Sequence, residues 1–302
     1  MSMQETIQTG KHYLLDTYAQ VPVVFTGGKG MYLIDEEGKH YLDFVGGIAV
    51  NALGYGDPGL SDAINKVVSE GLLHCSNLYY NKVGVEAAKE LCTLAEMERV
   101  FFCNSGAEAI EASLKLARKF GHQSEAPRSE IISMMNSFHG RTYGAVTATG
   151  QKKYHKNFAP LPQGFSYAEF NNLESVKALI TEKTCAIIVE PIQGEGGIVP
   201  SEPAFLRGLR SLCDEHNLLL IYDEVQCGMG RSGKPFAYQA YGVKPDVLTT
   251  AKALAGGVPC GAMLTTGKAS HIFTPGDHAS TFGGNPLAMA AVREMVKRLN
   301  NP

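Results

Sequence analysis

Between residues 98 and 265, short apolar runs alternate with helix-patterned stretches, and that rhythm narrows the fold more than any other feature. The expected strands are 99–103, 130–135, 186–190, 218–224, 247–250 and 261–265, with helical patterns between them at about 106–120, 173–182 and 203–216. Parallel strands need long crossovers, usually helices, so the alternation implies a mostly parallel α/β sheet covered on both faces. Ahead of it, MYLIDEEGKHYLDFV (31–45) reads as two short strands around Glu37-Gly38. Asp57-Pro58 opens an amphipathic helix running to about Leu73, a second helical pattern covers about 83–95, and a last one covers about 286–299.

Charge and cysteine usage exclude several classes. The 302 residues carry 27 basic and 30 acidic side chains, a formal charge of -3, with no basic stripe to bind nucleic acid or an anionic membrane. The seven cysteines, at 75, 92, 103, 185, 213, 227 and 260, form no C-x-x-C pair, and several lie in apolar runs such as Phe101-Phe102-Cys103. That pattern fits reduced thiols in a reducing compartment. The start, MSMQETIQTGKHYLLDTY, lacks the apolar region of a signal peptide. No stretch approaches the roughly 18 apolar residues of a membrane span. A cytoplasmic protein is expected.

The chemistry gathers at strand ends. LLLIYDEV (218–225) delivers Asp223 and Glu224 to the C-terminal end of a strand, where open α/β sheets bind ligands. Such an acid pair either lies in a solvated turn or faces a cation, a metal or a protonated pyridine. In DVLTTAKALAGGVPCGAML (246–264), Lys252 sits between alanines ahead of a flexible Ala-Gly-Gly segment. Poor hydration favours the neutral amine of Schiff-base chemistry, although a strand-end lysine can equally snorkel to solvent. Ser105-Gly-Ala-Glu108 fits a capping box at a helix start, a ready phosphate site that most capping boxes leave unused. Phe138-His-Gly-Arg-Thr142 offers an aromatic for a planar ring and an arginine for a carboxylate, or ordinary loop packing. Glu190-Pro-Ile-Gln-Gly-Glu195 brings a second strand end into a polar loop.

GMGRSGK (228–234) matches two nucleotide fingerprints superficially. Pro235 stands where a P-loop needs Ser or Thr, and Pro235 and Pro245 bracket too short a segment for the dinucleotide helix. The nine histidines give no H-E-x-x-H and no paired metal spacing, so no metal site is expected.

Together, NSGAEAIEASLKLAR (104–118), FHGRTYGA (138–145), EPIQGEGG (190–197), DEVQCGMGRSG (223–233), TTAKALAGGVPCGAM (249–263) and STFGGNPLA (280–288) resemble the class III aminotransferases. These are fold-type I enzymes that use pyridoxal 5'-phosphate. The likeness covers nearly the whole chain, and LDFVGGIAVNALG (42–54) is most similar to the acetylornithine type of arginine biosynthesis. The resemblance implies a mostly parallel seven-stranded sheet with helices on both faces, plus an incomplete small α+β domain. Residues 1–55 would begin the small domain, 56–290 form the large cofactor-binding domain, and 291–302 start a C-terminal part. It assigns Lys252 to the Schiff base and Asp223 to the pyridine nitrogen. Gln226 would meet the ring hydroxyl, with Val225 and Phe138 on the ring faces. Ser105, Gly106 and Ala107 would hold the phosphate, joined by Thr281 of a neighbouring subunit in a homodimer. Arg141 and Ser280 would take the substrate carboxylate, and Tyr18 and Glu195 would line the substrate pocket. The implied reaction moves the δ-amino group of N2-acetylornithine to 2-oxoglutarate. Succinylornithine, ornithine and 4-aminobutyrate are alternative donors.

Members of the class continue well past the STFGGNP motif, whereas this sequence stops at Pro302. The absent part normally supplies an arginine partner for the acid at position 195. The expectation is therefore a fragment or a truncated paralogue that binds the cofactor but is impaired in turnover.

Overall fold

The computed structural model describes residues Met1–Asn300. Its central sheet comprises β1 (Arg99–Cys103), β2 (Glu130–Met134), β3 (Phe165–Ala168), β4 (Thr184–Val189), β5 (Leu219–Asp223), β6 (Val247–Thr250) and β7 (Gly261–Thr265). The strands lie in the order β1-β7-β6-β5-β4-β2-β3. Only β7 runs against its neighbours, pairing antiparallel with β1 and β6. The remaining pairings are parallel, as the strand–helix alternation requires.

The central strands are apolar end to end because both faces are covered. Along β5, Leu219 and Ile221 join one buried cluster and Leu220 and Tyr222 join the other, the two-residue period of a strand. Helix α3 (Gly106–Gly121) packs its Ile110, Leu114 and Ala117 into the first cluster. Helices α2 (Lys82–Leu94), α4 (Pro203–Glu215) and α5 (Pro286–Asn300) contribute Leu91, Leu209 and Val292 to the second. This parity sets the directions of the two acids at the end of β5. Asp223 continues the Ile221 face, over which α3 lies, and Glu224 continues the opposite face.

Several elements depart from the sequence expectation. Helix α1 (Pro58–Glu70) is capped by the Asp57 carboxylate on the Leu60 N–H, but it stops at Gly71 (φ 80°) rather than near Leu73. Glycine takes that left-handed conformation without steric cost and so ends the helix. The helix expected over 173–182 spans Leu173–Lys177 and then tightens into i→i+3 turns through Ile180. Elements not expected from the sequence include β3, the strand Phe25–Lys29 beside the expected hairpin, a helix over Met3–Tyr13 capped by Ser2 and Glu5, and the short helices Tyr143–Ala148, Lys152–His155 and Ala237–Tyr241. Helix α5 runs unbroken across the expected 290/291 boundary, packed on α1 and α2. Arg293 pairs with Glu86 and Glu90 of α2, and Arg298 with Asp57. Among the described residues, no helix is long and apolar enough to cross a membrane.

Candidate active site

Parity gives the two neighbouring acids different partners. Asp223 is buried, with Oδ2 2.7 Å from His139 Nδ1 and Oδ1 accepting from the Val225 N–H at 3.0 Å. Glu224, on the other face, accepts from the N–H groups of Ala237 (2.6 Å) and Tyr238 (2.8 Å). It holds the loop 225–236 against the sheet and does not reach the cleft. Burial raises the Glu224 carboxyl from 4.5 to about 7, against the pull of those two N–H groups. A raised folded pKa means stability that is full below the unfolded value and is lost as pH rises through the folded one. Denaturant midpoints should therefore fall between pH 5 and 8. Glu224→Gln should remove about a third of that slope, with Glu190, also raised to about 7 by burial, and the raised His139 carrying the rest. A slope untouched by Glu224→Gln would show that Glu224 does not carry it.

His139 is fully enclosed. Burial acts to lower its pKa, but the Asp223 hydrogen bond and charge, with the Glu190 charge behind them, outweigh burial and hold it above its ordinary value. Glu190 leaves the end of β4 and accepts from the N–H groups of Phe138 (3.0 Å) and Gly194 (3.2 Å). It thereby ties together the loops that carry Phe138 and Glu195. Neither the His139 pairing nor this tie carries a sequence signature, because each joins residues about 50 to 80 positions apart.

Lys252 begins a short 3-10 turn just past β6, the strand beside β5. Its φ of 47° is left-handed, a conformation costing on the order of 1–3 kcal/mol in a non-glycine residue and concentrated at functional sites. Burial lowers its pKa, opposed by the charges of Asp223, Glu195 and Glu190. Among the described residues, no carboxylate forms an ion pair with its amine.

Across the cleft, α3 starts at Gly106. Ser105 Oγ accepts from the Glu108 N–H at 3.2 Å, but the Glu108 carboxylate takes the Asn104 N–H (2.6 Å) instead of completing the expected box on Ser105. The N–H groups of Gly106 and Ala107 are left without an acceptor among the described residues, at the positive end of a 16-residue helix. A Cβ on Gly106 would come within 2.8 Å of Val225 Cγ1, so only glycine lets Val225 sit beside this cradle.

Nine of the expected site residues share one cleft of about 370 Å³: Ser105, Gly106, Ala107, Phe138, Glu195, Asp223, Val225, Gln226 and Lys252. Gln226 Nε2 donates to Glu195 Oε1 at 3.4 Å. Four do not line it. Arg141 stands beside Phe138 at the rim, its Cζ 5.6 Å from that ring. Ser280 Oγ accepts from Asn104 Nδ2 at 3.2 Å, one residue behind the cradle. Thr281, expected to act in a neighbouring subunit, is exposed on a separate hollow with Leu78 and Asn77. Tyr18 is 82% exposed, so the expectation that it lines the pocket is not met in this chain. The GMGRSGK segment forms turns that end at Pro235, ahead of a five-residue helix, and offers no phosphate cradle.

An amine of depressed pKa and a buried acid on neighbouring strands, facing open helix N–H groups, suit one ligand class well: a phosphorylated aromatic aldehyde with a basic ring nitrogen. With its sheet order, this places the chain among the fold-type I pyridoxal-phosphate enzymes. Residues 14–302 match the Aminotransferase class-III family. A succinylornithine transaminase of Salmonella paratyphi A is 50% identical over 303 residues, spanning 100% of this chain and 74% of the relative. The ornithine aminotransferase of Toxoplasma gondii superposes with a TM-score of 0.94 at 33% identity, over 100% of this chain and 72% of that one. The N-acetylornithine aminotransferase of Stenotrophomonas maltophilia does so with 0.79 at 36%, over 97% and 71%. The chain belongs to the class III aminotransferases, which use pyridoxal phosphate.

Proposed function

We propose that the chain transfers the terminal amino group of an N2-acylated ornithine, acetyl or succinyl, to 2-oxoglutarate. The observation that carries this reading is the unpaired Lys252 amine across one cleft from Asp223 and the open Gly106 and Ala107 N–H groups. The cofactor, when bound, supplies an electron-accepting ring through which an amino group can be exchanged between two carbons. The cradle fits its phosphate, and Ser105, Gly106 and Ala107 would hold it. Phe138 and Val225 would flank the ring, and Gln226 would meet its hydroxyl. Asp223, fixed by His139 and the Val225 N–H, would hold a proton on the ring nitrogen. Lys252 would anchor the aldehyde carbon and, once released, carry a proton from the donor's terminal carbon on its Nζ. Its depressed pKa keeps more of the neutral, proton-accepting form available at neutral pH. Arg141, helped by Ser280, would bind the substrate carboxylate, and Glu195 would border the pocket.

Thr281 would reach the phosphate of a second copy in a homodimer. Leu78 and Phe282, exposed beside Thr281, support such a partner. Beyond its acids, the cleft lining of Val50, Gly257, Val258 and Pro259 is uncharged. An uncharged wall can accommodate an acyl group, in keeping with the names of the transaminase relatives. Glutamate release from 2-oxoglutarate with four donors tests the reading. N2-acetylornithine or N2-succinylornithine should exceed ornithine and 4-aminobutyrate at least about tenfold in kcat/KM, the scale set by leaving a charged group unpaired. Preference for ornithine, as the name of the Toxoplasma gondii neighbour suggests, would overturn the donor assignment.

A further inference from the structure

Arg141 is exposed, and among the described residues it has no carboxylate or carbonyl partner. What holds it is aromatic. Its Cζ lies 4.3 Å from the ring centroid of Tyr154 and 5.6 Å from that of Phe138. The Tyr154 ring also stands edge-to-face with Phe138, with centroids 5.4 Å apart at 71°. A cation held over a ring uses the ring quadrupole and consumes none of its N–H donors. The guanidinium is thus restrained while its fork stays open for an incoming carboxylate.

Tyr154 is itself firmly placed, although its helix is only four residues long (Lys152–His155). Gln151 Nε2 donates to the Ser137 carbonyl at 3.0 Å and lies 3.3 Å from that of Asn136, and the Tyr154 N–H returns to Gln151 O. His155 Nε2 lies 2.9 Å from Val146 O and 2.8 Å from Thr149 O. Both ends of the segment are therefore bolted to the backbone around the loop that carries Phe138 and Arg141. That loop is pinned by acids at its own ends. Glu190 takes the Phe138 N–H, and Glu111 takes the Thr142 hydroxyl (2.5 Å) and the Gly144 N–H (2.9 Å). The Arg141 side chain is the part these acids leave to Tyr154.

We propose that Tyr154 is a positioning residue for carboxylate recognition, its ring orienting Arg141 at the cleft rim. This rests on the proposed role of Arg141 in binding substrate carboxylate. The test uses the cofactor-loaded chain with glutarate, a dicarboxylate that has neither amine nor ketone, as an equilibrium probe beside the KM for 2-oxoglutarate. Tyr154→Met keeps bulk but removes the ring. It should raise the glutarate Kd and the KM by up to about fivefold, the worth of a cation–π contact at an exposed site, with kcat within about twofold. Tyr154→Phe should restore parental values, because the ring and not the hydroxyl acts. In an Arg141→Gln background, Tyr154→Met should add less than about twofold, since its effect passes through the arginine.

Parental Kd and KM in Tyr154→Met, or a full decrement persisting without Arg141, would overturn the inference. So would Tyr154→Phe failing to rescue, a comparison that stands even if the methionine variant folds poorly. If Arg141→Gln alone left the glutarate Kd unchanged, the carboxylate role of Arg141 would fall and this inference with it. A rise in Arg141→Gln without one in Tyr154→Met removes only the inference.

Discussion

Lys252→Ala should lower turnover by at least about 10³- to 10⁴-fold while leaving the chain folded, because one amine serves as both covalent anchor and proton carrier. The two effects separate experimentally. Borohydride reduction of the loaded parent should add the cofactor's mass less one water and plus two hydrogens to the chain, and Lys252→Ala should show no such addition. Folding should be insensitive to the change. Alanine is no worse than lysine at φ 47°, and the lost amine is one that burial already disfavours in its charged form. The denaturation midpoint of the cofactor-free variant should therefore match or slightly exceed that of the parent. Covalent capture at another lysine, or turnover within tenfold of the parent, would remove Lys252 from the centre of the mechanism.

The legible parts of this molecule are those with a period. The buried run ahead of Asp223 marks β5, and counting by two along it separates Asp223 from Glu224 before any contact is known. The helix start at Ser105 and Gly106 was legible as a cap, but its use as a phosphate cradle came from the resemblance, because most such caps bind nothing, and the Glu108 carboxylate takes the Asn104 N–H rather than that of Ser105. Contacts between loops were not legible. His139 reaches Asp223 across 84 positions, and Tyr154 reaches Arg141 through ring faces that leave no pattern in a linear string. Short edge elements failed for a different reason. Phe25–Lys29 contains two glycines and is mostly exposed, and the four residues of β3 show no alternation. The position of Tyr18 came only from resemblance, and no residue around it in the sequence constrains where it goes.

Asp223→Asn should cost about 10²- to 10⁴-fold in kcat, together with stability that depends on pH in a defined direction. The amide can still accept the Val225 N–H, so the local backbone should persist. It cannot offer a negative charge to a ring nitrogen or to His139. His139 sits above its ordinary pKa only because the Asp223 hydrogen bond and charge overcome burial. With the charge gone, burial alone remains and drives the histidine toward its neutral form. In the parent, the pair's stabilisation is full below the unfolded histidine value near 6.5 and is lost as pH rises through the raised folded value. In the variant, the buried neutral histidine opposes folding on the acid side, where the unfolded chain takes up the proton. The stability gap between parent and Asp223→Asn should therefore be widest near pH 5.5 and narrow toward pH 8.5, reaching a few kcal/mol at its widest, the scale of breaking a buried pair. Chemical denaturation of the cofactor-free proteins at those two pH values measures it. A gap of constant size would mean that His139 carries no charge in the fold. A variant with parental kcat would mean that the buried acid serves the strand end alone and not the ring nitrogen.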